Sequence, residues 1–452
     1  MALPSVLRGA IAALPVRAGE GRRTALLFAH LLLASAIFIL GRTVRDTLFL
    51  SRYSLSALPW MFVLYGVASA ITVVLYARVA DKIPRTRLII FSLGVGMAAY
   101  LGTWVAVLLE QSWIYPVFYV VSEVAANLFI VQFWTLANDL NEPRAARRLF
   151  PLIGSARVLG VVVIGLATGA IVRAIGTSQL LLVLVGLMAL VAFLALRLGR
   201  EPVLVRPARK APKGGASVAK DPYVRVLAAF ILCTFVVLTL GDYQFKAIAR
   251  ATYQEDELAS FFSLFYAGTG VASFVFQVLV TPRLLRRFGV GWGMRVMPGV
   301  FGIASAILLF VPHLAVATVM KFADNGLQYT IHETTLQALY VPFPEHLKAR
   351  TRAFLDAVIK PLSYGAGGLV LVLLASRMSP YWLSAVAAPV VLAWLLVIPL
   401  VRRRYVRALS GTLGVRGALA LESMQPVDSD AQSELTKVLE HARPEVLIAA
   451  LG

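Results

Sequence analysis

Ionisable side chains, with the neutral polar residues Asn127 and Tyr364 beside them, stand inside long apolar runs of this sequence. Arg42, Arg45 and Asp46 lie towards the end of one run, Glu123 and Asn127 in another, and Arg157 in a third. Asp242 and Lys246 close a fourth; Lys321, Asp324, His332 and Glu333 share a fifth; Asp356, Lys360 and Tyr364 follow in a sixth. A charged group costs about 2.5–3.5 kcal/mol at the centre of a bilayer even on lenient scales, so each marks either an ion or solute path or a structural pair. Arginine offers a planar fork for carboxylate or phosphate. His332 beside Glu333 is either a proton relay or a hydrogen-bonded packing residue. Arg42, Arg45, Asp46, Asp242 and Lys246 have a second reading, as side chains that snorkel or pair locally at the outer interface.

The elements that must hold these residues follow from composition. Of 452 residues, 59% are hydrophobic, and apolar runs long enough to cross roughly 30 Å of hydrocarbon recur throughout. The expected fold class is all-α, a polytopic membrane protein with twelve transmembrane helices in two pseudo-symmetric six-helix bundles. Expected spans are roughly 24–42, 57–80, 87–109, 113–138, 149–172, 178–198, 223–243, 258–281, 290–311, 313–341, 350–376 and 380–401. The net charge of +20 is spread between apolar segments, which argues for lipid headgroups as its partner and against nucleic acid. A single cysteine, Cys233, excludes an intramolecular disulfide and a CxxC metal site. No nucleophile triad, metal cluster or phosphate loop stands in the sequence, so neither enzymatic chemistry nor a cofactor is expected.

Basic residues fall after spans 2, 4, 8, 10 and 12, while the loops after spans 3, 9 and 11 carry almost none, which places both termini on the cytoplasmic side. Glu142 with Arg147 and Glu345 with Arg350 stand at the same offset of 203 positions (345 less 142), so one six-helix half maps onto the other. That is the parallel-repeat plan of major-facilitator transporters. The expected parts are a lead-in at 1–23, a bundle at 24–198, a Pro- and Gly-rich linker at 199–222, a second bundle at 223–401 and a tail at 402–452. The tail, with apolar residues at helical spacing from Ser433, resembles the start of a HEAT-type repeat. Asp81 and Arg85 after span 2, Arg147 and Arg148 after span 4, and Arg350 after span 10 are candidates for bracing helix ends as a gate.

Several stretches resemble one family. EVAANLFIVQFW, TLAND and AARRLFPLIGSARVLG, together with TVRDTLFL, GDYQFK, LQYTIHETTLQALYVP and ARTRAFLDAVIKPLSYGAGG, resemble the ATP/ADP translocases of plastids and intracellular bacteria, in matching order over about residues 24–400. The resemblance implies nucleotide exchange by alternating access, with cations holding phosphate. By position Arg45, Asp46, Glu123 and Lys246 are retained and Asp242 shortens a Glu. Leu48 and Tyr364 stand where the family has Lys, and Leu336 and Gln337 replace a Lys-Glu pair. Losing such cations weakens phosphate binding unless Arg42, Arg157 or Lys360 rebuild an anion site.

The expected function is a secondary transporter of a nucleotide or other organic anion in the bacterial inner membrane. Two alternatives remain open at this level. One is a membrane-anchored scaffold or sensor that presents its tail to a cytoplasmic protein; the other is a proton-coupled metabolite or drug transporter using Glu123 or His332.

Overall fold

A computed structural model describes residues 16–17, 19–79, 82–201, 218–343 and 345–416. Among them every regular element is helical. In chain order come α1 (Gly21–Arg52), α2 (Leu58–Val79), α3 (Arg85–Leu108), α4 (Ile114–Asp139), α5 (Pro143–Ile175), α6 (Leu180–Leu198), α7 (Pro222–Thr252) and α8 (Glu255–Val275). A π-helical turn, Phe276–Val280, leads into α9 (Thr281–Phe310). Gly289 breaks the start of α9 with φ 73°, a left-handed conformation that a side chain resists.

The tenth and eleventh expected spans are interrupted helices. The first is α10 (Leu314–Leu327), a π-helical turn (Gln328–His332) and α11 (Glu333–Leu339); the second is α12 (Glu345–Phe354), another π-helical turn (Leu355–Ile359) and α13 (Lys360–Leu374). The last helix is α14 (Leu383–Arg416). Among the described residues ten helices are long and apolar enough to cross a membrane without interruption. The difference from twelve lies in these two interrupted spans. Each inserts a wider turn into an otherwise continuous helix, as π-bulges do near functional positions.

Large apolar side chains lie on the outside of the helices. Phe310 is 82% exposed, Phe91 69% and Leu373 66%, an outward face that is stable against lipid and costly against water.

The chain packs into two units. Among the described residues, one is drawn from Met1–Arg52, Leu75–Arg209 and Glu255–Gly268, and the other from Tyr53–Val74, Lys210–Gln254 and Thr269–Gly452. Most of α2 therefore packs with the second unit, and the first half of α8 with the first.

Each unit has one inner helix. Of the most apolar stretch of α1, 61% is buried, and of α7, 67%, against 33% in α2, α3, α5 and α6. In the first unit α1 packs on α4, α5 and α6; in the second α7 packs on α10, α13 and α14. Glycine allows the closest approaches. A Cβ on Gly160 of α5 would collide with the carbonyl oxygen of Leu32 in α1. One on Gly66 of α2 would meet the carbonyl oxygen of Pro361 at 2.5 Å and the Gly365 nitrogen at 2.9 Å, so α2 and α13 touch backbone to backbone. The start of α7 is fixed by Asp221, whose carboxylate accepts the backbone N–H groups of Tyr223 (2.7 Å) and Val224 (3.3 Å), with Pro222 in the first turn.

Most of the expected linker and the HEAT-like segment from Ser433 lie outside the described residues.

Candidate functional site

In the first unit the last turns of α1 bring Arg42, Arg45 and Asp46 into the interior because α1 is the inner helix. Arg45 is 3% exposed and Asp46 fully buried. The Arg45 guanidinium meets Asp46 through Nε (2.9 Å) and Nη2 (2.8 Å), and its Nη1 pairs with Glu123 of α4. The guanidinium also lies 4.4 Å from the ring centroid of Tyr119. Arg42 lies 4.6 Å from the Tyr266 ring of α8, and the Tyr266 hydroxyl donates to Asp46 Oδ2 at 3.3 Å. One turn below, the hydroxyls of Tyr100 and Ser122 share a hydrogen bond of 2.8 Å. Two cations and two carboxylates thus sit together, and the planar fork of Arg45 bridges both anions as a lysine would not.

The second unit repeats this balance with different side chains. Asp242 and Lys246 are one turn apart on α7, and Lys321 and Asp324 one turn apart on α10. Lys246 Nζ reaches Asp242 Oδ2 at 2.8 Å, Lys321 Nζ reaches Asp242 Oδ1 at 2.8 Å, and Lys321 Nζ reaches Asp324 Oδ2 at 2.6 Å. Lys246 is 1% exposed, Lys321 4%, Asp324 2% and Asp242 8%, and the Lys246 ammonium lies 5.5 Å from the Phe62 ring. Such an alternating chain offsets the desolvation of each charge by its neighbours. Lys321 links the two helices, a role that its sequence position beside Asp324 conceals, since an i, i+3 pair reads as local.

A third group in the same unit is more open. Lys360 Nζ lies 3.4 Å from Glu333 Oε2 and 3.6 Å from Asp356 Oδ1, with side-chain exposures of 23%, 35% and 27% for Lys360, Glu333 and Asp356. Gln337 donates to Glu333 Oε1 at 2.7 Å. Phe235 and Tyr364 lie against this group, their rings 4.9 Å apart, and Tyr65 meets Tyr364 edge to face at 5.9 Å.

Three further candidates differ in their surroundings. Asn127 donates to the Glu123 carbonyl of its own helix at 2.9 Å. His332 is buried against Phe230 (5.6 Å, stacked) and Trp394 (6.2 Å, edge to face), while its neighbour Glu333 faces the more open group. Arg157 is exposed on α5.

Of the candidate gate residues, Arg85 pairs with Asp139 at the end of α4 (3.2 Å), and Arg148 bonds both carboxylate oxygens of Glu20 at 2.7 Å. Arg350 is half-buried on α12, whereas Asp81 and the Arg147 side chain lie outside the described residues. At the opposite ends of the helices Arg52 holds Glu255 through two contacts of 2.8 Å and donates to Ser178, and Asp256 accepts from the Thr177 hydroxyl at 2.7 Å. Sequence spacing gave no sign of this clasp, because its partners come from three distant segments.

A bundle of apolar helices in two units, each with a balanced charge cluster on its inner helix, defines a polytopic carrier-type fold. Residues 24–331 match the family model described as Major Facilitator Superfamily, and the chain belongs to that superfamily. It is similar to ADP,ATP carrier protein 2, chloroplastic, of Arabidopsis thaliana, with 23% identity over 63% of this chain and 53% of the relative. It is also similar to ADP,ATP carrier protein 1 of Chlamydia muridarum, 23% identical over 63% of this chain and 64% of the relative. The chain spans about half the length of the plant relatives it matches. Among solved structures, the nucleoside transporter NupG aligns with a TM-score of 0.63 at 12% identity, covering 83% of this chain and 98% of that one. A D-xylose-proton symporter aligns with a TM-score of 0.61 at 12% identity, covering 83% and 96%. These structures share the fold.

Proposed function

We propose that this chain is a secondary transporter that moves a nucleotide or related organic anion across the bacterial inner membrane by alternating access, with both termini in the cytoplasm. The observation that carries the reading is the pair of buried, charge-balanced clusters on α1 with α4 and on α7 with α10. Charges buried among apolar, membrane-spanning helices are costly and mark function. The ADP,ATP carriers among its relatives support a nucleotide-like cargo. The roles assigned are substrate contact and charge compensation for Arg42, Arg45, Asp46, Glu123, Asp242, Lys246, Lys321 and Asp324. Arg85 and Arg148 brace helix ends. Anionic lipid is the expected partner of the basic loops, and the tail from Ser433 would serve any cytoplasmic protein partner.

Uptake of labelled ATP, ADP, AMP and adenosine into proteoliposomes tests this reading. Saturable uptake of at least one nucleotide, reduced in Glu123→Gln, is expected; absence of uptake for all four rejects a nucleotide cargo.

Proton coupling is a second reading, favoured by the near-complete burial of Asp46 and Asp324 beside their cations. An imposed proton gradient would then drive accumulation in the same vesicles, and uptake indifferent to the gradient removes this reading.

A further inference from the structure

We propose that Glu333, Lys360, Phe235, Tyr364 and Tyr65 form a ligand subsite within the second unit for a planar aromatic heterocycle carrying one phosphoryl group, with a nucleoside monophosphate as its minimal form. This rests on the transport reading above and assigns it a place.

The ion pair is built to exchange partners. In the deep cluster of the same unit the Lys-to-Asp distances are 2.6–2.8 Å and the side chains nearly inaccessible, whereas Lys360 stands 3.4 Å and 3.6 Å from its two carboxylates and is 23% exposed. A partly solvated ammonium can take a new anion at smaller cost than a desolvated one. Glu333 has somewhere to go, because Gln337 already donates to its other oxygen at 2.7 Å. An incoming phosphoryl oxygen would take the place of Glu333 on Lys360 while Glu333 keeps its amide partner.

The backbone is arranged for the same end. Both interrupted spans place their π-helical turn directly before a member of the pair, Gln328–His332 before Glu333 and Leu355–Ile359 before Lys360. Two of the three π-helical turns among the described residues thus directly precede the two members of one ion pair, and π-bulges are frequent at functional sites.

The neighbouring rings set the ligand class. Tyr364 is one turn after Lys360 on α13 and shares its face. It lies between Phe235 (4.9 Å) and Tyr65 (5.9 Å), and the Lys360 ammonium is 5.4 Å from the Phe235 centroid. Half-buried tyrosines offer a stacking face and a hydroxyl, which suits a heterocycle with polar edges. The charge count sets the phosphoryl number. Lys360 is flanked by Asp356 and Glu333, and Arg352, 3.5 Å from Asp356, is 56% exposed, so a polyphosphate would meet two carboxylates beside Lys360.

The test is calorimetric binding of AMP, adenosine, ATP and inorganic phosphate to the purified full chain and three variants. Glu333→Gln is expected to tighten AMP about tenfold, a gain that misfolding cannot mimic. Lys360→Gln is expected to weaken AMP about tenfold and leave adenosine within about twofold, and Tyr364→Leu to weaken both. If wild type binds AMP and Glu333→Gln and Lys360→Gln move its affinity in the same direction, or neither moves it, the subsite is wrong while the transport reading stands. Tighter binding of ATP than AMP overturns the single-phosphoryl assignment. No binding of any probe by wild type overturns the subsite together with the nucleotide cargo.

Discussion

Lys321 joins two buried aspartates from two helices, and its removal takes a cation from each, leaving Lys246 on Asp242. Lys321→Met is expected to cost about 3–5 kcal/mol of stability, the penalty of leaving a buried charge without its partner, measured by unfolding in detergent. Replacing Asp242, Lys246, Lys321 and Asp324 together by apolar residues of similar volume is expected to be milder for stability, because no charge then remains to be desolvated. Just before α1 the Arg17 backbone N–H, and then the Arg148 charge, hold the Glu20 carboxyl below its ordinary value of 4.5, with partial burial opposing them. A depressed folded-state value stabilises above the unfolded one and is lost as pH falls through the folded one. The difference in melting temperature between wild type and Glu20→Gln should therefore be full at neutral pH and close as the buffer is acidified below 4.5. A difference unchanged in acid would show that the pair contributes nothing to folding. The ionisable residues were legible in the sequence as charges in apolar runs. Their pairings were not, because Arg45 and Glu123, or Asp242 and Lys321, are joined only by helix packing.

At the level of elements the two π-helical turns set the direction of Glu333 and Lys360. A π turn accommodates one residue more than an α-helical turn, and each residue rotates a helix by about 100°. Deleting Val358 should restore a regular helix and rotate Lys360 away from Glu333 or shift everything before it. A zero-length amide crosslink, formed by a carbodiimide between the Lys360 ammonium and the Glu333 carboxylate that lies 3.4 Å from it, should then fail to form in the deletion variant, while the protein still inserts; persistence of that crosslink would refute the geometry. Gly160 tests the inner-helix packing. Gly160→Leu forces α1 and α5 apart at Leu32 and should lower the melting temperature far more than the same change at Gly154, where a Cβ meets nothing within 4 Å. The long apolar helices could be read from hydropathy, but several run past their apolar stretches: α1 continues to Arg52 where 42 was expected, and α7 to Thr252 where 243 was expected. The π turns could not, since one extra residue within an apolar run leaves its composition intact and its period barely altered.

For the molecule as a whole, the repetition of basic turns at an offset of 203 positions revealed a two-fold architecture, and family membership agrees with it. The sequence did not reveal that most of α2 packs with the second unit and the first half of α8 with the first. Linear order is a poor guide to which helices pack together, since α2 follows α1 and α8 follows α7 after only a short turn. Each unit balances two cations against two carboxylates on its inner helix and one neighbour, with an arginine fork in the first and paired lysines in the second. The central claim is that these clusters belong to an exchanger of nucleotide-like anions. Counterflow measures it most directly. Proteoliposomes loaded with unlabelled nucleotide should take up labelled nucleotide transiently above equilibrium, and the overshoot should disappear in Arg45→Gln reconstituted at equal density. Uptake that is absent, or that is identical in loaded and empty vesicles and untouched by Arg45→Gln, would contradict the account.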